Sequence, residues 1–280
     1  MSNSRIIRAA TAALAAAAVA LTVSPAVTPT ASAAPAREPV PTFAEFEAST
    51  FHDVDGQYVV NGDETIADAG QLQTFYDEMI AEYTTEGTPS ANLVINRTFG
   101  RDDKWSATAA RNLTYCVSNG FGSSKSAVVS AMQAGSGQWE AASRGVNFTY
   151  VPSADANCRT SNNAVVFSVE PTTTTQYIAR AFFPSTPDSG RNILVNARSL
   201  QTSGSWTPSN ILAHELGHTL GFRHEHTRPE ARTCFEDNNW RPLTPYDSAS
   251  IMHYPQCNGT SSNLSMTNTG RAGIRTVYGS

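Results

Sequence analysis

Eleven residues, running His-Glu-Leu-Gly-His-Thr-Leu-Gly-Phe-Arg-His from His214 to His224, constrain this chain more than any other stretch. Histidines four apart share one face of an α-helix, with Cβ atoms about 5 to 6 Å apart, so His214 and His218 can grip one metal ion. Glu215 stands beside them on the open side. Gly221 falls where the helical pattern stops, and glycine there permits the left-handed backbone that turns the chain and returns His224 toward the same point. Three imidazoles around a tetrahedral zinc leave a fourth position for water, whose pKa the ion lowers to about 7, and an adjacent carboxylate can accept the proton. The spacing therefore predicts a hydrolytic zinc site with ligands His214, His218 and His224 and with Glu215 as base. Thr207 or Ser205 is placed to cap the helix, Pro208 suits its first turn, and Ile211, Leu212, Leu216 and Leu220 supply positions for burial.

This HExxHxxGxxH pattern resembles the signature of the metzincin metallopeptidases. A second likeness lies in Ser250-Ile251-Met252-His253-Tyr254, similar to the SxMHY of astacin-like enzymes. It implies that Met252 floors the zinc histidines and that Tyr254 steadies the oxyanion formed from the scissile carbonyl. A third, Ile178 to Ala197, resembles the matrixin and astacin segment holding the edge strand of the sheet, expected here at 179–183, where an extended peptide can add by main-chain hydrogen bonds. The likeness covers roughly residues 100–280, and the His224 to Glu230 run is most similar to bacterial secreted metzincins of the dual-action HEIGH type, although His226 replaces the glutamine of animal astacins.

The resemblance implies an α+β fold: a metzincin-like zinc peptidase domain with a twisted mixed sheet, a long zinc-binding helix and an irregular C-terminal lobe closed by a Met-turn. It also implies a secreted endopeptidase that hydrolyses peptide bonds in protein substrates with one Zn2+. Two other functions are compatible with such a site: a zinc hydrolase of non-peptide amides or esters, and a secreted binding protein using an inactive zinc fold. Glu215 speaks against the second.

Compartment is read from the amino terminus. Arg5 and Arg8 precede an alanine-rich apolar stretch from Ala9 to Val23 that ends in Ala31-Ser32-Ala33, the pattern of a signal peptide over residues 1–33. The stretch is short of the roughly 20 residues that span a bilayer. Four cysteines suit an oxidising compartment. They allow three pairings; Cys116–Cys158 with Cys234–Cys257 is favoured, each enclosing a plausible subregion, and none shows the CxxC spacing of a cysteine zinc site. A formal charge of -5 offers no basic field for nucleic acid or anionic membranes, which leaves proteins or peptides as partners and a monomer as the default.

Residues 34–100 are acidic in their main part and free of cysteine, and read as a propeptide ahead of a catalytic domain at 101–280. Gln57 to Asp63 has the pattern of a strand entering a turn, and Ala69 to Tyr83 has helical spacing with Leu72, Phe75, Met79 and Ile80 on one side. Asp63 has two readings. It resembles the zinc-capping aspartate of the FxGD motif in astacin propeptides, with Val60 in place of the aromatic; the favoured reading is an Asn-Gly hairpin turn with a solvated acid beside it. Further on, the pattern predicts strands at 112–117, 146–151, 165–169 and 193–195, helices at 124–142 and 271–278, and an irregular region after His224. Calcium is unsupported: the acidic loops 155–157 and 236–239 lack an EF-hand pattern.

Overall fold

The acidic leading stretch folds as the small α/β unit its patterning predicts. In the computed structural model, which describes residues 41–83, 93–234, 236–237 and 239–280, it opens with helix α1 (Phe43–Ser49), started by a Thr42/Glu45 capping box. Strands β1 (Phe51–His52), β2 (Tyr58–Val60) and β3 (Glu64–Ile66) form an antiparallel sheet in that order. The β2–β3 loop is Asn61-Gly62-Asp63, with positive φ of 55° at Asn61 and 99° at Gly62, the left-handed backbone that asparagine and glycine tolerate. Helix α2 (Ala69–Tyr83) follows, burying Leu72 and Tyr76. The expected signal peptide lies outside the described residues.

Strands β4 (Val94–Thr98) and β5 (Arg101–Asp102) start the main body. β4 lies ahead of the boundary expected at 101, yet Leu93 belongs to the main core. A short helix α3 (Ala107–Ala110) leads to β6 (Leu113–Val117), helix α4 (Lys125–Ala142) and β7 (Phe148–Tyr150). β6 and β7 pair in parallel, and α4 is the crossover such a pair needs. β8 (Phe167–Pro171), the two-residue β9 (Ala179–Arg180) and β10 (Asn192–Val195) complete a mixed five-stranded sheet, ordered β7-β6-β8-β10-β9, in which only β9 is antiparallel.

β9 is thus the edge, as expected, but it is shorter than 179–183. Beyond Arg180 the chain leaves the β10 ladder, and Ala181 instead donates its N–H to Asp63 O at 3.0 Å, in an isolated parallel bridge to Glu64. The leading stretch therefore also meets the chain just past the edge strand.

Helices α5 (Ala197–Gln201) and α6 (Pro208–Thr219) follow β10. On α4, Val128, Ala131, Met132, Trp139 and Ala142 recur at helical spacing and pack with Ile211, Leu212, Ala213 and Leu216 of α6 under one face of the sheet. After α6 the chain is largely irregular: β11 (Trp240–Pro242) pairs antiparallel with β4, and α7 (Asn268–Tyr278) closes the fold, starting three residues before the expected 271. Both favoured disulfides are formed, Cys116–Cys158 and Cys234–Cys257. This is the α+β architecture the sequence implied. No helix among the described residues is long and apolar enough to cross a membrane.

Candidate metal centre

Helix α6 is held rigidly from three sides. Thr207 caps it, its hydroxyl accepting from Asn210 N at 3.2 Å, with Pro208 in the first turn; Ser205 plays no part in the cap. The buried indole of Trp139 donates Nε1–H to Ala213 O at 2.7 Å, one residue before His214. At the other end Trp105 donates Nε1–H to Thr219 O at 2.6 Å, satisfying one of the carbonyls that a helix leaves open. Gly221 then takes φ of 93°. A side chain there would also collide with Asp103 O, so the turn toward His224 requires glycine twice over.

All three histidines are buried, and each has its Nδ1 committed. His214 Nδ1 faces Ile251 O at 2.7 Å, His218 Nδ1 faces Phe222 O at 2.9 Å, and His224 Nδ1 faces Glu236 Oε1 at 2.7 Å. Because these partners only accept, Nδ1 carries the proton in each ring and Nε2 presents a lone pair. The Nε2 atoms converge: those of His214 and His224 are 3.2 Å apart. Asp63 supplies the fourth corner, its Oδ2 3.3 Å from His214 Nε2 and its Oδ1 3.4 and 3.1 Å from His218 and His224 Nε2. A tetrahedral zinc with ligand bonds of about 2.0 to 2.2 Å has ligand-to-ligand edges of about 3.3 Å, so these spacings match that ion. His218 Nε2 and Asp63 Oδ1 are buried without a hydrogen-bond partner, as atoms reserved for a metal would be. The donor set fits zinc.

Asp63 is not the solvated acid that the favoured reading expected. The Asn-Gly turn is present, but the turn delivers the carboxylate to the histidines, where it is only 4% exposed. Burial raises its pKa; the His224 and His218 imidazoles outweigh that and hold it well below the usual carboxylate range. Tyr254 donates its hydroxyl to Asp63 Oδ2, and its ring lies 4.5 Å from that of His224. Glu215, buried beside them, has one carboxylate oxygen without a partner. It borders a cavity of about 200 Å3 shared with His214, Tyr254, Tyr177 and Gly62. Met252 lies under the helix against Gly217, where a Cβ would collide with its sulfur.

Sequence reading missed the shell behind these groups. Glu236 takes His226 Nε2 at 3.2 Å on the same oxygen that holds His224, and Tyr254 N donates to His226 Nδ1 at 3.2 Å. One buried carboxylate thus links the third histidine to the backbone of the tyrosine. Glu236 had stood out only as part of an acidic loop, and the nearby Cys234 was the one hint that this loop is tied down. Among the described residues, two side-chain groups could hold a metal, the Asp63 set and His224–His226–Glu236. Asp155 of the other acidic loop is engaged by Val117 N and Lys125.

A profile of metallo-peptidase family M12 matches residues 59–265. Two curated relatives from Oryzias latipes, high choriolytic enzyme 2 and high choriolytic enzyme 1, are each 40% identical over 63 residues, covering 16% of this chain. The aligned stretch spans 22% and 23% of the length of those relatives. Among solved structures, Myroilysin is similar at 18% identity and a TM-score of 0.43, over 71% of this chain and 95% of that one.

Proposed function

The chain belongs to metallo-peptidase family M12, of the metzincin zinc type, and from that premise we propose that it is a secreted endopeptidase made as a latent precursor. The observation that carries this is the tetrahedron of three imidazole Nε2 atoms and the Asp63 carboxylate, set beside Glu215. His214, His218 and His224 would hold one zinc, which when bound supplies the Lewis acidity that acidifies water and polarises a carbonyl. In this reading Asp63 stands where water must enter, so the full chain is latent, and the main body, beginning at or before Leu93, is the catalytic domain. The signal pattern at 1–33 and the two disulfides support secretion.

Each catalytic group then has one task. Burial and the Asp63 carboxylate push Glu215 well above the ordinary carboxylate range; departure of Asp63 removes the second cause and brings Glu215 toward the range where it accepts a proton. Glu215 takes the proton of the attacking water and returns it to the leaving amine. Tyr254, released by Asp63, turns its hydroxyl to the developing oxyanion. The edge at Ala179–Ala181 offers main-chain groups to a polypeptide substrate.

Casein cleavage by the processed protein tests this. Glu215→Ala should keep its zinc and lose cleavage; undiminished cleavage would remove the mechanism. Tyr254→Phe should lower kcat with little change in KM, and a change in KM alone would speak against oxyanion stabilisation.

A further inference from the structure

The prosegment meets the sheet at a second place, and every group that receives it there belongs to the main body. The turn between β1 and β2 carries Asp53 and Asp55. Arg180 Nε donates to Asp53 Oδ2 at 2.7 Å, and the Tyr177 hydroxyl donates to the same oxygen. Arg180 Nη2 and Asn192 Nδ2 both donate to Asp55 Oδ2, at 2.5 and 2.9 Å. The remaining arm of the guanidinium, Nη1, donates to Asn192 Oδ1 at 2.9 Å, which fixes its plane. Arg180 and Asp53 are wholly buried.

A buried guanidinium is tolerated only when its donors are matched by acceptors, and here two of its arms find them on the prosegment. Removal of that segment leaves Arg180 Nε, Arg180 Nη2, the Tyr177 hydroxyl and Asn192 Nδ2 aimed at positions that two carboxylates have vacated. Glu170, on the same face, accepts from Ser168 Oγ at 2.6 Å and also stands beside Asn192 and Arg180. Arg180 is next to Ala181, the residue that pairs with Asp63, and Tyr177 lines the cavity beside Glu215. The receptor therefore adjoins the proposed metal centre without being part of it.

We propose that in the processed enzyme Tyr177, Arg180 and Asn192 form an exosite for acidic peptide segments, taking two carboxylates spaced as Asp53 and Asp55 are. The proposal rests on the reading above that the prosegment is removed. The same chemistry is offered by a substrate with an Asp-x-Asp segment flanking the cleaved bond and by the released prosegment, which would then compete with such substrates.

Two peptide substrates with one cleaved core, carrying Asp-x-Asp or Asn-x-Asn in the flanking segment, separate these ideas. The processed zinc enzyme should show a KM about tenfold lower for the Asp peptide at equal kcat, the effect of one well-formed charged contact. In the full chain Arg180→Gln would strand Asp53, so the double variant Asp53→Asn/Arg180→Gln carries the test; it should abolish the preference, and Tyr177→Phe should reduce it. A synthetic peptide of residues 50–60 should inhibit cleavage of the Asp peptide and leave the Asn peptide untouched, which identifies the prosegment as a competing source. Equal KM values for the two peptides, or a preference surviving in the double variant, would overturn the exosite. Anisotropy of the labelled Asp peptide reads binding without turnover: an inactive chain that binds it through Arg180 keeps the exosite and sinks the peptidase reading.

Discussion

Three histidines of one site are held by unequal partners. His214 and His218 donate Nδ1–H to neutral carbonyls, whereas His224 donates to the Glu236 carboxylate, which burial would raise but the His224 and His226 imidazoles pull down to about 2. An anionic partner makes an imidazole a better ligand and fixes its ring, and loss of such partners costs about 10- to 100-fold in metal affinity. Glu236→Gln should weaken zinc binding by that factor in competition with a chelator, and an unchanged affinity would show that Glu236 only fills space. The pairing of His214 with His218 was legible because the helical period fixes where residues four apart point. Glu236 was not, since a loop joins it to His224 and no periodic spacing relates the two. His226 failed for the same reason: its role depends on Tyr254 N, far along the chain.

Helix α6 works as an element because its supports come from outside it. The cap, the apolar positions and the glycine stop could be read from local sequence, and the structure uses Thr207, Pro208 and Gly221 as the pattern required. The Trp139 and Trp105 hydrogen bonds could not, as both join residues distant in sequence. Gly217 combines the two levels: it sits inside a helix, where alanine is intrinsically favoured by about 1 kcal/mol, yet a methyl there meets Met252. Overpacking is the larger effect, so Gly217→Ala should destabilise the protein by about 1 to 3 kcal/mol, seen as a lower urea midpoint at unchanged slope. A gain in stability would mean that Met252 can move and does not form a fixed floor. The edge strand shows the opposite limit of local reading. Its position was legible, but its length is set by where the main chain meets Asp63.

For the whole molecule, residues 41–83 bring acidic groups to three sites of the rest of the chain: Asp63 to the histidines, Glu64 to Arg223 and the Asp53–Asp55 turn to Arg180. Sequence patterning found the turn that carries Asp63 and misjudged its surroundings, because burial of that carboxylate depends on histidines from the other end of the chain. Asp55 is exposed, its side chain partly covered at Arg180; what burial it has raises its pKa, but Arg180 and the Asn192 amide outweigh that and the net shift is downward. A depressed carboxylate stabilises the folded form above its unfolded pKa of about 3.9, and that contribution is lost as pH falls through the lower folded value. Melting temperature of the full chain should therefore drop on acidification below about pH 4, and less steeply in Asp55→Asn; equal slopes would deny the ion pair a role. The most direct measurement is anomalous diffraction at the zinc edge from crystals of the full chain. The expected result is one peak at about 2.0 to 2.2 Å from the Nε2 atoms of His214, His218 and His224 and from an oxygen of Asp63. No peak there in zinc-loaded crystals, or a peak that excludes His224, would contradict it.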